Sequence, residues 1–170
     1  MVEVITQHSF QIFVTFITIW IAFQQYQVNK NKLEYDLFDK RLKVFVALQD
    51  FLTVISGKIN DLDNIVNNQP ISKTYSVVIN PPKEVFINYQ KVIPISEFIF
   101  NQDIHSYLLE IESEGKELLN ILENANNTKF STEETDKLKF KLINRRQWCT
   151  NQLSISRQKF IKYLKLKTFN

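Results

Sequence analysis

A chain of 170 residues, 44% hydrophobic and 23% charged, has room for one hydrophobic core of ordinary domain size and little beyond it. Its two glycines, Gly57 and Gly115, argue against turn-rich β architectures and exclude a glycine-rich phosphate loop, so an all-α fold is expected. A net charge of +3 is too small to imply a nucleic-acid partner by itself, and the lone Cys149 excludes an intrachain disulfide.

The stretch from Val4 to Asn29 carries no Asp, Glu, Lys or Arg, and its centre from Phe10 to Phe23 is strongly apolar. A bilayer-crossing helix needs about 20 mostly apolar residues, and no other part of the chain comes close. The basic n-region of a signal peptide is missing, because Glu3 is the only charge ahead of the run, and no small-residue cleavage site follows Phe23. A retained transmembrane helix over residues 1–29 is therefore expected, with the bilayer as a partner. Lys30, Lys32, Lys40, Arg41 and Lys43 all follow it, so the positive-inside rule puts the N-terminus outside and residues 30–170 in the cytoplasm. Phe10 to Phe23 would rise only about 21 Å against a hydrocarbon thickness of about 30 Å, which makes it a short span.

Within this segment Gln11, Thr15, Thr18, Ala22 and Gln25 recur at steps of four and three, one seam of a heptad that Asn29 and Lys32 continue. Interhelical bonds from Gln and Thr hold membrane helices together, and a polar seam facing water is also a pore wall. The five residues are thus candidate pore-lining positions in a homo-oligomer. The alternative is an ordinary membrane helix whose threonine hydroxyls bond back to their own preceding turn.

No proline or glycine interrupts the chain between Asn29 and Gly57, so the first helix is expected to run on. There Leu33, Leu37, Val44, Leu48, Phe51, Leu52, Ile55, Ile59 and Leu62 keep a helical period and define a core-facing stripe. Asn67-Asn68-Gln69-Pro70 stops that helix, and Pro70, Pro81, Pro82 and Pro94 mark an irregular crossover over about 67–95. Inside it Lys73 to Ile79 reads as extended and Pro82 to Val92 as a short helix. Ser96 is expected to cap the next helix, which runs through Phe98, Ile104, Leu108, Ile111, Leu118 and Leu122 to the asparagines at 124–127. Ser131 with Glu134 forms a capping box for a last helix reaching about Leu166, its core side read as Leu138, Leu142, Cys149, Leu153, Phe160 and Leu164.

Charge separates these last two helices. Residues 97–128 hold seven acids and the single Lys116, whereas residues 129–170 hold eleven Lys and Arg and three acids. Antiparallel packing of the pair would bring opposite charges together. The end of the chain, where Lys159, Lys162, Lys165 and Lys167 alternate with Phe160, Tyr163, Leu164 and Phe169, is basic and amphipathic, a composition suited to anionic lipid.

Chemistry-bearing clusters are sparse. His8 and His105 have no metal-ligand spacing, Glu110, Glu112 and Glu114 spread around a helix instead of converging, and Cys149 falls on the apolar stripe. No cofactor, metal site or enzymatic activity is expected. The segment Asn144-Arg-Arg-Gln-Trp-Cys-Thr-Asn151 resembles the R-x(4 to 6)-H element of HEPN-type ribonucleases in degenerate form, with Arg145, Arg146 and Asn151 and no histidine. Together with one N-terminal span and a helical bundle, it resembles the small accessory membrane protein of type VI-B CRISPR systems. That resemblance implies a HEPN-like cytoplasmic bundle on a single-pass helix in the bacterial inner membrane. It further implies a ring-shaped homo-oligomeric pore that supports antiphage defence by depolarising the membrane, with an RNA-guided ribonuclease system or RNA as trigger. The departure from the motif leaves no acid or base for RNA cleavage. The alternative function is a membrane-anchored module that binds RNA or protein without forming a pore.

Overall fold

The computed structural model describes residues 2–68, 80–127 and 132–165. Among these it is entirely helical: α1 (Val2–Asn68), α2 (Lys83–Ile99), α3 (Gln102–Asn127) and α4 (Thr132–Phe160). The chain divides into two compact units, Met1–Asp39 and Lys40–Asn170.

In the first unit α1 is an isolated helix whose side chains from Gln11 to Tyr26 are all exposed. Among the described residues no helix is long and apolar enough to cross a membrane. The physical reason lies in the sequence: the apolar run from Ile12 to Phe23 is interrupted by Thr15 and Thr18 and gives way to Gln24, Gln25, Tyr26 and Gln27. Gly57, further along α1, is tolerated because tertiary packing outweighs a propensity cost of about 1 kcal/mol.

The second unit is a four-helix bundle whose pairings fix its directions. Gln49 on α1 donates to Ser156 on α4 (2.6 Å), and Arg146 donates to Asn60 (3.0 Å), so the two helices run antiparallel. Tyr89 on α2 donates to the Leu108 carbonyl on α3 (2.6 Å), and Lys83 pairs with Glu123 (2.7 Å), again antiparallel. Arg145 on α4 reaches Glu114 and Tyr107 on α3 reaches Gln152, which makes α3 and α4 antiparallel as well. The result is an up-down-up-down bundle with α1 parallel to α3.

The expected stripe of α1 is buried from Val44 onward, at Val44, Leu48, Phe51, Leu52, Ile55, Ile59 and Leu62, whereas Leu33 is exposed and Leu37 half-buried, since both precede the bundle. Each buried side chain contributes about 1.5–3 kcal/mol on leaving water. At the centre, the Phe51 ring stacks parallel on Tyr89 (5.2 Å between centroids) and packs obliquely on Phe86 (5.2 Å). Gly115 makes this packing possible, because a Cβ there would stand 2.6 Å from Phe51 Cζ and 3.0 Å from Phe86 Cε2.

The short helix expected over Pro82 to Val92 is present as α2, which extends to Ile99 and takes in Phe98, expected in the next helix. α2 runs on through Pro94, which faces solvent, so the Gln90 carbonyl that loses its helical partner lies on the wet side. Ser96 consequently sits inside α2, fully buried, and donates to the Ile93 carbonyl (2.6 Å); it caps nothing. The break comes at Phe100 and Asn101. Asn101 caps α3, its Oδ1 accepting the Ile104 N–H (3.3 Å). α4 ends at Phe160, short of the expected Leu166, and a turn follows in which Tyr163 and Leu164 both donate to the Phe160 carbonyl (2.9 and 3.1 Å). The Lys73 to Ile79 stretch, Ser131 of the capping box, Leu166, Lys167 and Phe169 lie outside the described residues, as do the side chains of His8, Glu134 and Leu138.

Candidate functional site: the exposed apolar helix and the arginine pair

The exposed segment of α1 carries Phe13, Phe16, Ile17 and Trp20 around the side opposite the seam, with Phe16 68% and Trp20 64% exposed. This aromatic surface is exposed along the stretch from Gln11 to Tyr26. Gln11, Thr15, Thr18, Ala22 and Gln25 are likewise exposed and share one face by their spacing. The two threonines are turned inward on their own helix: Thr15 Oγ1 donates to the Gln11 carbonyl and Thr18 Oγ1 to the Val14 carbonyl, each at 2.9 Å. Their hydroxyl protons are thereby satisfied without water, which lowers the cost of leaving it. What the seam projects outward is then two hydroxyl oxygens as acceptors and the amide groups of Gln11 and Gln25.

The degenerate motif on α4 is dispersed. Arg145 points to α3, where its guanidinium bridges Glu114 and Glu117, the latter at 2.6 Å. Desolvation opposes the charge of Arg145, but the hydrogen bonds from Glu117 and Glu114 outweigh it and hold the group above its ordinary value. Arg146 points to α1, to Asn60 and to the buried Asp63 (3.5 Å). Asn151 is exposed, and five helical positions place it about 140° round the axis from Arg146. The three residues face three directions and line no common cleft.

The remaining titratable groups are absorbed by packing. Burial pushes the Cys149 thiol up to about 12, although the charge of Arg145 pulls the other way, so it stays protonated at neutral pH. Burial also raises the Tyr89 and Tyr107 phenols well above their usual range. Glu112 is held below its ordinary value, chiefly by the Lys116 ammonium (2.8 Å) and then by the Gln90 amide (2.7 Å). His105 Nδ1 lies 2.8 Å from Ser96 Oγ. Among the described residues no group of three His, Cys, Asp or Glu is placed to hold a metal ion.

One cluster was not legible beforehand. Arg41 Nε donates to the Ile99 carbonyl at the end of α2 (2.9 Å), and its guanidinium lies over the rings of Phe100 (5.9 Å) and Tyr163 (5.3 Å). In the sequence Arg41 is one of five cations trailing an apolar run, and only the late break at Phe100 brings its partners to it. Comparison with known proteins yields no match: no family model, no curated relative and no solved structure is similar to this chain.

Proposed function

We propose that this chain is a self-assembling membrane effector whose N-terminal segments gather in a bilayer and enclose a path for ions along the Gln11, Thr15, Thr18, Ala22, Gln25 seam. The observation that carries this reading is the charge-free apolar helix, exposed on every side and polar along one line. A single copy is a poor span, since Ile12 to Phe23 covers about 18 Å and its seam would face lipid. Assembly answers both defects. Seams turned toward a common axis leave Phe13, Phe16, Ile17 and Trp20 for the lipid, and an oligomer spreads the cost of a thinned bilayer over several copies.

The basic residues after the segment orient it with the N-terminus outside and the bundle in the cytoplasm of a bacterial cell. The resemblance to the type VI-B accessory family extends the reading to antiphage defence: depolarisation of the inner membrane in support of an RNA-guided ribonuclease, with that system or RNA as trigger. An anchored module that binds RNA or protein through Arg145 and Arg146 has less support, because a phosphate would have to displace Glu114, Glu117 and Asp63 from the two guanidiniums.

The test is ion flux from vesicles containing the full chain, read beside its oligomeric mass. Thr15→Leu with Thr18→Leu is expected to stop the flux while the mass is retained. Unchanged flux would remove these residues from the path, and a monomer would remove the reading altogether.

A further inference from the structure

The end of the bundle at which the chain enters, marked by Lys40, concentrates positive charge. Within two turns of that end the bundle carries Lys40, Arg41 and Lys43 on α1 and Arg157, Lys159, Lys162 and Lys165 on and after α4. The same zone holds three carboxylates, Asp39, Glu97 and Asp103, among its described residues. Lys40, Arg157, Lys162 and Lys165 are exposed, and so are two apolar side chains of the same end, Phe98 at 84% and Ile161 at 59%. Exposed apolar side chains together with an excess of cations make the composition of a membrane-interfacial surface.

This end is also built to keep its shape. Phe100 packs edge-on against Phe160 (5.0 Å) and Tyr163 (5.1 Å), and Arg41 closes the cluster from α1 through the Ile99 carbonyl and the faces of both outer rings. The corner that carries Phe98 and the turn that carries Ile161 are thereby held to α1. We propose that this basic end docks on an anionic lipid surface, with Phe98 and Ile161 entering the headgroup layer and Arg157, Lys162 and Lys165 facing lipid phosphates. The contact is made by residues other than those of the apolar segment and does not depend on it, and charge complementarity selects its occupant.

The experiment is hydrogen exchange of the amides at 161–164 in the full chain mixed with phosphatidylcholine vesicles, with and without phosphatidylglycerol. Docking slows exchange several-fold with the anionic lipid alone, and high salt reverses the slowing. One Lys or Arg near an anionic leaflet contributes about fivefold in affinity, so Arg157→Glu, Lys162→Glu and Lys165→Glu together remove more than about hundredfold and abolish the protection. Equal exchange in the two lipid mixtures, or protection that high salt leaves intact, overturns the proposal. Protection by a soluble RNA in place of vesicles overturns it as well. Flotation on neutral vesicles reports the apolar segment separately. A chain that fails to float there yet gains protection from the anionic lipid contradicts the preceding section and supports this one.

Discussion

Replacing each of the two glycines by alanine separates helix propensity from packing. Both lie inside helices, so each Gly→Ala change gains up to about 1 kcal/mol from propensity alone. At Gly57 nothing lies within 4 Å of the added Cβ, and that gain is expected in full. At Gly115 the Cβ meets Phe51 Cζ at 2.6 Å, Phe86 Cε2 at 3.0 Å and Phe51 Cε1 at 3.1 Å. The Phe51 ring has little freedom to retreat, because it lies flat on Tyr89, whose hydroxyl is tied to the Leu108 carbonyl at 2.6 Å. Overpacking of a filled core costs about 1–3 kcal/mol, so Gly115→Ala should be less stable than Gly57→Ala by that amount, with propensity cancelling between the two. Urea unfolding of the full-length variants in one detergent, followed by far-UV circular dichroism, gives the difference. Phe51→Leu in the Gly115→Ala background should recover part of the loss. Equal stabilisation by both alanines would refute the packing assigned to Phe51.

Three further outcomes are expected. Arg145→Met should destabilise the bundle by about 1–3 kcal/mol, because it removes charge-assisted bonds and leaves Glu114 and Glu117 facing each other one turn apart; a denaturation midpoint equal to that of the parent would contradict this. The Glu112 carboxyl titrates lower in the folded chain than in the unfolded one. Its contribution is therefore present above the unfolded value of 4.5 and lost as the pH falls through the lower folded value; Glu112→Gln should flatten the acid limb of a melting-temperature profile in that window. Cys149 should resist alkylation at mildly alkaline pH in the folded chain and react rapidly in urea, and prompt labelling without denaturant would count against its burial.

Helix periodicity made much of the bundle legible. The stripe from Val44 to Leu62 is buried as its spacing implies, and the proline at 70 follows closely on the end of α1. The charge contrast between the third and fourth helices correctly pointed to antiparallel packing, but it did not say that one guanidinium, that of Arg145, would take both Glu114 and Glu117. Pro94 and Ser96 misled for a local reason. A proline near a serine reads as a helix boundary, yet Pro94 points to solvent where its missing bond costs little, and the boundary lies five residues later at Asn101. The seam was legible as spacing alone. Thr15 and Thr18 donate to carbonyls of their own preceding turn, as the alternative reading of the seam expected of threonines in a helix. Arg146 and Asn151, five positions apart on α4, stand more than a right angle apart around the helix.

The central claim is that the exposed apolar segments assemble with one another in a bilayer. The most direct measurement is the copy number of the full chain in lipid nanodiscs, read by native mass or by electron microscopy. A single closed oligomer with its N-terminal helices gathered at the axis is expected. A chain that stays monomeric, or that remains in solution without entering the lipid, contradicts that claim.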